Sequence, residues 1–180
     1  MVNYLYEDQL ETERLITRKL VSEDYKTWSV FFEDKDAIEF IIGSDTRENT
    51  ERAKYWIERQ QNRYENKLFG LQALIDRVSG EFIGMCGLLL QEVEGAKELE
   101  VGYHILKKHW GNGYATEAAR LFKEYAFKNK LGSSVISIIH VNNVRSQSVA
   151  LKNGMIRERR CSWNNLDVFI YRTTSTPLSH

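Results

Sequence analysis

Trp110-Gly111-Asn112-Gly113-Tyr114-Ala115-Thr116-Glu117-Ala118 is the stretch on which the fold turns. An extended run from Glu98 to Leu106 leads into it. A helical pattern follows, with Ala119, Phe122, Ala126 and Phe127 recurring on one face. A glycine turn between strand and helix leaves several main-chain N–H groups unpaired around one concavity, a site for a phosphate or pyrophosphate. A Cβ at Gly111 or Gly113 would hinder both the turn and the close approach of an anion. The same letters suit an ordinary strand–helix turn, so the choice rests on a second segment further along the chain.

That segment is a helix opened by Asn143-Val144-Arg145-Ser146 and closed by Lys152-Asn153-Gly154-Met155. Read with the glycine turn, it resembles the GNAT superfamily of acyl-coenzyme A-dependent N-acyltransferases. The family's Q/R-x-x-G-x-G/A turn falls on Trp110 through Ala115. Gly113 and Ala115 fit it, and Trp110 stands where Gln or Arg is usual. The run W-G-x-G-Y-A-T-E-A is similar to the RimJ/RimL branch, the ribosomal-protein N-terminal acetyltransferases and their relatives. That branch's N-x-x-S, then K-x-G and a hydrophobe, matches Asn143, Ser146, Lys152, Gly154 and Met155. Leu10-Glu11-Thr12-Glu13-Arg14-Leu15 looks like its first strand. The resemblance spans almost the whole chain.

At 180 residues the chain is long enough for one domain with a proper core, and residues 1–180 are expected to form a single unit. Acidic and basic residues balance at 25 each, so no global field draws in nucleic acid or an anionic membrane. Local basic clusters stand at Lys107-Lys108-His109 and at Arg157 to Arg160. The first, just ahead of the glycine turn, is expected near the phosphates of a bound cofactor. Cys86 and Cys161 form neither a disulfide framework nor a metal site, and the four histidines lack ligand spacing, so no metal is expected. No signal peptide and no spanning apolar run are read, and the cytoplasm is the expected compartment.

Strands are predicted over Arg14–Leu20, Phe69–Asp76, Glu81–Gln91, Glu98–Leu106, Ser134–Val141, Arg159–Trp163 and Asp167–Arg172. Turns are expected at Val78-Ser79-Gly80, Glu94-Gly95-Ala96 and Asn164-Asn165. Helices are predicted from Ser22 through Phe32, over Asp36–Ile42, and over Thr46–Asn66 with Ala53, Trp56, Ile57 and Gln60 near one face. This order is α+β with a mixed sheet. The resemblance implies the GNAT fold: a mostly antiparallel, splayed sheet of about seven strands flanked by helices. It also implies that the sheet opens between the strand ending at Leu106 and the strand ending at Val141. The pantetheine arm of coenzyme A would lie there along the main chain of Ile105 and Leu106. A nest of Trp110, Gly111, Asn112, Gly113, Tyr114, Ala115 and Thr116 would hold the pyrophosphate.

Amide formation from a thioester needs a neutral amine, a polarised carbonyl and a thiolate that can leave. A lysine amine is neutral in only about one molecule in two thousand at pH 7, an α-amine in roughly a tenth. Glu100 is the first candidate base, acting directly or through water; alternation places it with Gly102 and His104. His104 has the better intrinsic pKa for the task, but a hydrogen-bonded structural role is its simpler reading. Tyr103 alternates with Val101 and Ile105, which reads as core packing. Many GNAT enzymes carry a Tyr two residues before the Lys of the second motif; here that residue is Ala150. The resemblance places the leaving-group role on Ser146, with Asn143 as helix cap and pantetheine contact. Cys86 sits among apolar residues that would raise a thiol pKa, which argues for direct transfer over an acyl-enzyme. Trp28, Phe31, Phe32, Trp56 and Trp163 are expected in the core or lining the cleft. The acceptor pocket is expected around Phe31–Asp36 and Thr46–Glu58, with Asn164 and Asn165 as a second rim.

The activity so implied is acetyl transfer from acetyl-CoA to a primary amine, a peptide N-terminus or a small molecule, by a monomer or homodimer. The rival is a catalytically silent coenzyme A-binding sensor. Both need the glycines, and only the pair Glu100 and Ser146 separates them.

Overall fold

The computed structural model describes residues 6–41 and 45–175. Strand β1 (Leu15–Arg18) alternates buried and half-buried positions, shorter than the predicted Arg14–Leu20. A single 3-10 turn at Ser22–Asp24 leads into α1 (Tyr25–Glu33), which buries Trp28, Phe31 and Phe32. The helix expected over Asp36–Ile42 is only α2 (Lys35–Ile38), capped by the Asp34 carboxylate on the N–H groups of Asp36 and Ala37. Ile42 lies outside the described residues. Helix α3 (Asn49–Glu65) starts three residues later than Thr46.

The meander β2 (Leu71–Asp76), β3 (Phe82–Val93) and β4 (Ala96–Ile105) follows. Its second turn is the two-residue pair Glu94-Gly95, both at positive φ, so Ala96 pairs with Val93 and belongs to the strand. A 3-10 turn at Lys107–His109 precedes α4 (Tyr114–Lys128), then come β5 (Ser134–His140) and α5 (Val144–Lys152). The hairpin β6 (Ile156–Trp163) and β7 (Leu166–Thr174) closes the chain across Asn164-Asn165, again both at positive φ.

The seven strands form one sheet in the order β1-β2-β3-β4-β5-β7-β6, antiparallel throughout except where β4 meets β5. Helix α4 packs Ala118, Phe122 and Ala126 onto one face. Helices α1 and α3 pack Trp28, Phe31, Ala53 and Ile57 onto the other.

Strands β4 and β5 are parallel and share a single register pair, Glu100 with Ile136. Beyond it they part, as parallel neighbours joined by a helix crossover are free to do. Polar bonds hold the closed end of this wedge. The Arg172 guanidinium grips both Glu98 carboxylate oxygens (2.6 and 3.0 Å) and donates to Ser134 Oγ at 2.7 Å, joining β7 to β4 across β5. At the vertex Ser137 Oγ donates to the Val101 carbonyl at 3.1 Å.

Candidate active site

The open end of the wedge is a cleft of about 900 Å³ that runs through the sheet. Its β4 wall follows from strand alternation. Leu106 N–H bonds to Ile83 O (3.1 Å) and so points at β3, which turns the main chain of Val101, Tyr103 and Ile105 toward the cleft. Ile105 lines the cleft, but its carbonyl already accepts the Trp110 indole N–H at 2.8 Å. Leu106, expected beside it, is not part of this wall: it is 2 % exposed, and its carbonyl accepts His109 N–H. The main-chain edge open to an extended ligand is therefore Tyr103 with the N–H of Ile105.

The glycine turn has the conformation an anion site requires. Gly111 and Gly113 have φ of 78° and 80°, in the left-handed region that favours glycine. Gly113 is the N-cap of α4 with no side chain capping it, and the first intrahelical bond joins Glu117 N–H to Gly113 O. The N–H groups of Tyr114, Ala115 and Thr116 thus lack intrahelical partners, and all three residues line the cleft. A pyrophosphate fits this cradle by charge and by the space left where a Cβ would be; an ideal Cβ on Gly111 meets nothing within 4 Å.

A brace from the segment just before β1 holds the turn. Glu117 accepts from Thr12 Oγ1 (2.5 Å), Arg14 N (3.0 Å) and Arg14 Nε (2.7 Å). Burial would raise its carboxyl, but these bonds outweigh it and hold the group below the usual range. Arg14 Nη1 donates to the Asn112 carbonyl at 2.8 Å. Asn112 itself, counted with the nest from sequence, lies outside the cleft lining, its amide turned onto the carbonyls of His109 and Trp110.

The expected lysines are also elsewhere. Lys107 is held by Asp36 (2.7 Å) and Asp34 (3.1 Å), and Lys108 by Glu81. The cations that line the cleft from α5 are Arg145, stacked 4.5 Å over the Trp110 ring of the glycine turn, and Lys152. Neither has a carboxylate partner among the described residues.

Glu100 lies at the vertex itself. Gln91 Nε2 donates to its Oε2 at 2.7 Å, and the Ile138 main chain also bonds its carboxylate. Burial pushes its carboxyl above the ordinary carboxylate range despite those bonds. That makes it a stronger base than a surface glutamate. His104, two residues along the same face from Gly102, packs edge-on to Phe31 and Trp56, with ring centroids at 5.8 and 5.0 Å. Burial takes its imidazole down to about 4, so near neutral pH it is uncharged and a weak base.

Ser146 and Asn143 line the cleft from α5, on the opposite face of the sheet from Glu100. Asn143 Oδ1 accepts the Ser146 N–H at 3.2 Å, the expected helix cap. Tyr103 is more than core packing. It lines the cleft, and its phenol donates to the Ser146 carbonyl at 3.0 Å. A phenol thus reaches α5 from β4, although Ala150 on α5 is a buried small residue.

The side on which the acceptor is expected is walled by Phe31 and Asp36 from α1 and α2, and by Trp56 from α3. Trp163, Asn164 and Leu166 form a rim from the last hairpin; Asn165 does not reach it. Trp28 and Phe32 are fully core. The wall expected as far as Glu58 continues through Arg59, Gln60 and Arg63. They fall on the same helical stripe as Trp56, the one signal that would have found them.

A family model described as "Acetyltransferase (GNAT) domain" matches residues 14–156. The chain belongs to the GNAT acetyltransferase family. Among curated relatives of this GNAT chain, the uncharacterized protein YkkB of Bacillus subtilis is 30% identical over 168 residues, 93% of this chain and 96% of YkkB. The uncharacterized N-acetyltransferase YoaA of the same organism is 29% identical over 83% of each chain. A GNAT-family acetyltransferase from Bacillus anthracis superposes with a TM-score of 0.75 at 23% identity, covering 92% of this chain and 98% of that one. Mycobacterium smegmatis RimJ, in complex with CoA-disulfide, does so at 0.74 and 17% identity, over 92% and 84%. These structures share the fold. GNAT acetyltransferases take their acetyl group from acetyl-CoA, and this chain is an acetyl-CoA-dependent N-acetyltransferase. No described helix is long and apolar enough to cross a membrane.

Proposed function

We propose that this enzyme acetylates a primary amine, a peptide α-amine or a small molecule, by direct transfer within the β4–β5 cleft. The observation that carries this reading is the placement of Glu100 and Ser146 on opposite faces of one cleft, with the anion cradle at its end. Acetyl-CoA supplies the activated acetyl group as a thioester. The N–H groups of Tyr114 to Thr116 hold its pyrophosphate, with Arg145 and Lys152 beside them. The Tyr103–Ile105 edge orders its pantetheine arm. Glu100 takes the proton of the incoming ammonium, directly or through a water, before nitrogen can act as nucleophile. Ser146 Oγ donates a hydrogen bond that favours thiolate departure. Asn143 fixes the first turn of α5, and the Tyr103 phenol fixes that turn against β4.

Two results test this reading. Thiol release from acetyl-CoA is measured against peptide α-amines, lysine side chains and small amines, with coenzyme A binding titrated in parallel. Ser146→Ala is expected to lower kcat by about tenfold to a hundredfold with coenzyme A affinity retained. Unchanged kcat in a chemistry-limited regime would remove Ser146 from the mechanism.

Direct transfer also predicts the behaviour of Cys86. It is fully buried, and burial pushes its thiol far above the usual range, so little nucleophilic thiolate exists. Initial-rate lines for the two substrates should intersect, and Cys86→Ala should leave no step missing. Parallel lines with trapped acetyl on Cys86 would replace direct transfer by an acyl-enzyme.

A further inference from the structure

Trp56, Arg59, Gln60 and Arg63 recur on one face of α3, and that face is the acceptor wall of the cleft. Gln60 is already engaged, accepting Leu71 N–H at 2.9 Å and Arg63 Nη1 at 3.1 Å. The two arginines are one turn apart. Burial lowers the Arg63 guanidinium below its usual range, and the charge of Arg59 lowers it further. Neither has a carboxylate within ion-pair distance among the described residues. Most other arginines do, including Arg14, Arg18, Arg47, Arg159, Arg160 and Arg172. The Trp56 indole N–H is also buried without a partner. Like charges at this spacing destabilise a helix, and an unmet buried donor costs more.

Beside the α3 face, the other charged groups of the lining do not relieve this excess, and Arg145 and Lys152 from α5 add only further positive charge. Asp36 is bound to Lys107, and His104 is neutral near pH 7. Glu100 lies within Coulombic reach of Arg63 and, when ionised, offsets one guanidinium. Two positive charges against one negative leave a single positive charge: Gln60 Oε1 accepts one Arg63 N–H, but no second carboxylate among the described residues answers the remaining donors. One carboxylate balances that excess, whereas a phosphate dianion overshoots it. A polycation such as a polyamine or aminoglycoside is repelled.

We infer that the amine acceptor carries a carboxylate, which Arg59 and Arg63 anchor while Glu100 faces the amine. This inference rests on the amine-acetylation reading above and narrows it to amino-acid-like acceptors or peptides with an acidic residue next to the N-terminus. Guanidinium forks match carboxylate oxygens two by two, so they fix the orientation of the acceptor as well as its affinity.

The test compares thiol release with the free acids of alanine, serine, phenylalanine and glutamate against their carboxamides. Phosphoethanolamine and spermidine extend the panel. A tetrapeptide with Asp second is set against its Asn counterpart, to separate a free amino acid from an acidic peptide. The acid member of at least one pair should exceed its amide by about tenfold or more in kcat/KM. Arg63→Gln and Arg59→Gln should collapse that ratio toward one through KM, and Arg63→Lys should retain part of it. Calorimetric binding of the N-acetylated acid to coenzyme A-saturated protein should weaken in Arg63→Gln, with coenzyme A binding itself unchanged. Equal rates for acid and amide, or a preference for phosphoethanolamine or spermidine, would overturn the inference and leave amine acetylation standing. Coenzyme A binding with no release from any amine would overturn both.

Discussion

Glu100→Gln is expected to lower kcat/KM at pH 7 by about two to three orders of magnitude, with coenzyme A binding unchanged. The amide keeps the shape of the carboxyl group and can still meet Gln91, but it cannot take a proton. In the wild type the rate should rise with pH as Glu100 loses its proton. Burial places that limb above the ordinary carboxylate range. The limb should vanish in Glu100→Gln, leaving only the ionisation of the amine substrate. A stability measurement supplies an independent check. The folded-state pKa of Glu100 is raised, so between the unfolded and folded values the native protein binds more protons than the unfolded chain. Its contribution to stability is full below the unfolded value and is lost as pH rises through the folded one. The wild type should therefore lose Tm relative to Glu100→Gln across that window. A variant within about threefold of wild-type kcat/KM would show that Glu100 is not the base.

Gly113→Val is expected to weaken coenzyme A binding by about a hundredfold or more, the largest binding effect of any single change in the turn. At φ 80° a β-branched residue is a backbone outlier, with a penalty of about 1–2 kcal/mol or more. The alternative to that strain is a flipped turn, which would scatter the N–H groups of Tyr114 to Thr116 and disperse their common field. The Cβ also lies 3.5 Å from Arg14 Nη2, so the added methyls press on the brace that joins the chain just before β1 to Glu117. Gly111→Ala, with a similar φ but open space around its Cβ, should lose less, about tenfold. Titration of coenzyme A into each variant, with circular dichroism to confirm that α4 persists, measures both. Wild-type affinity in Gly113→Val would mean that the pyrophosphate is held elsewhere.

Local chemistry was legible in the sequence. The glycine turn, the Asn143 cap, the Asn164-Asn165 hairpin and the buried face of α4 each follow from residues a few positions apart, whose conformations depend on near neighbours. The order of strands and helices, and with it the α+β class, followed from the same local patterns. Glu100 was legible as a candidate because strand alternation fixed its face.

Partners across the sheet were decided by tertiary structure. Lys107 and Lys108 precede the turn in sequence, yet acidic side chains from α2 and the β2–β3 turn draw them away, and Arg145 and Lys152 from α5 line the cleft instead. Leu106 alternates correctly as strand, but only the bond of its N–H to Ile83 shows that it faces β3 and not the cleft. Tyr103 reads as core until α5 brings the Ser146 carbonyl to its phenol. Arg59 and Arg63 lie beyond the expected wall, which ends at Glu58, and only the fold sets their helix face near Glu100. In each case the deciding contact joins residues far apart in the chain. Burial and the single β4–β5 register pair, which no local pattern encodes, select it.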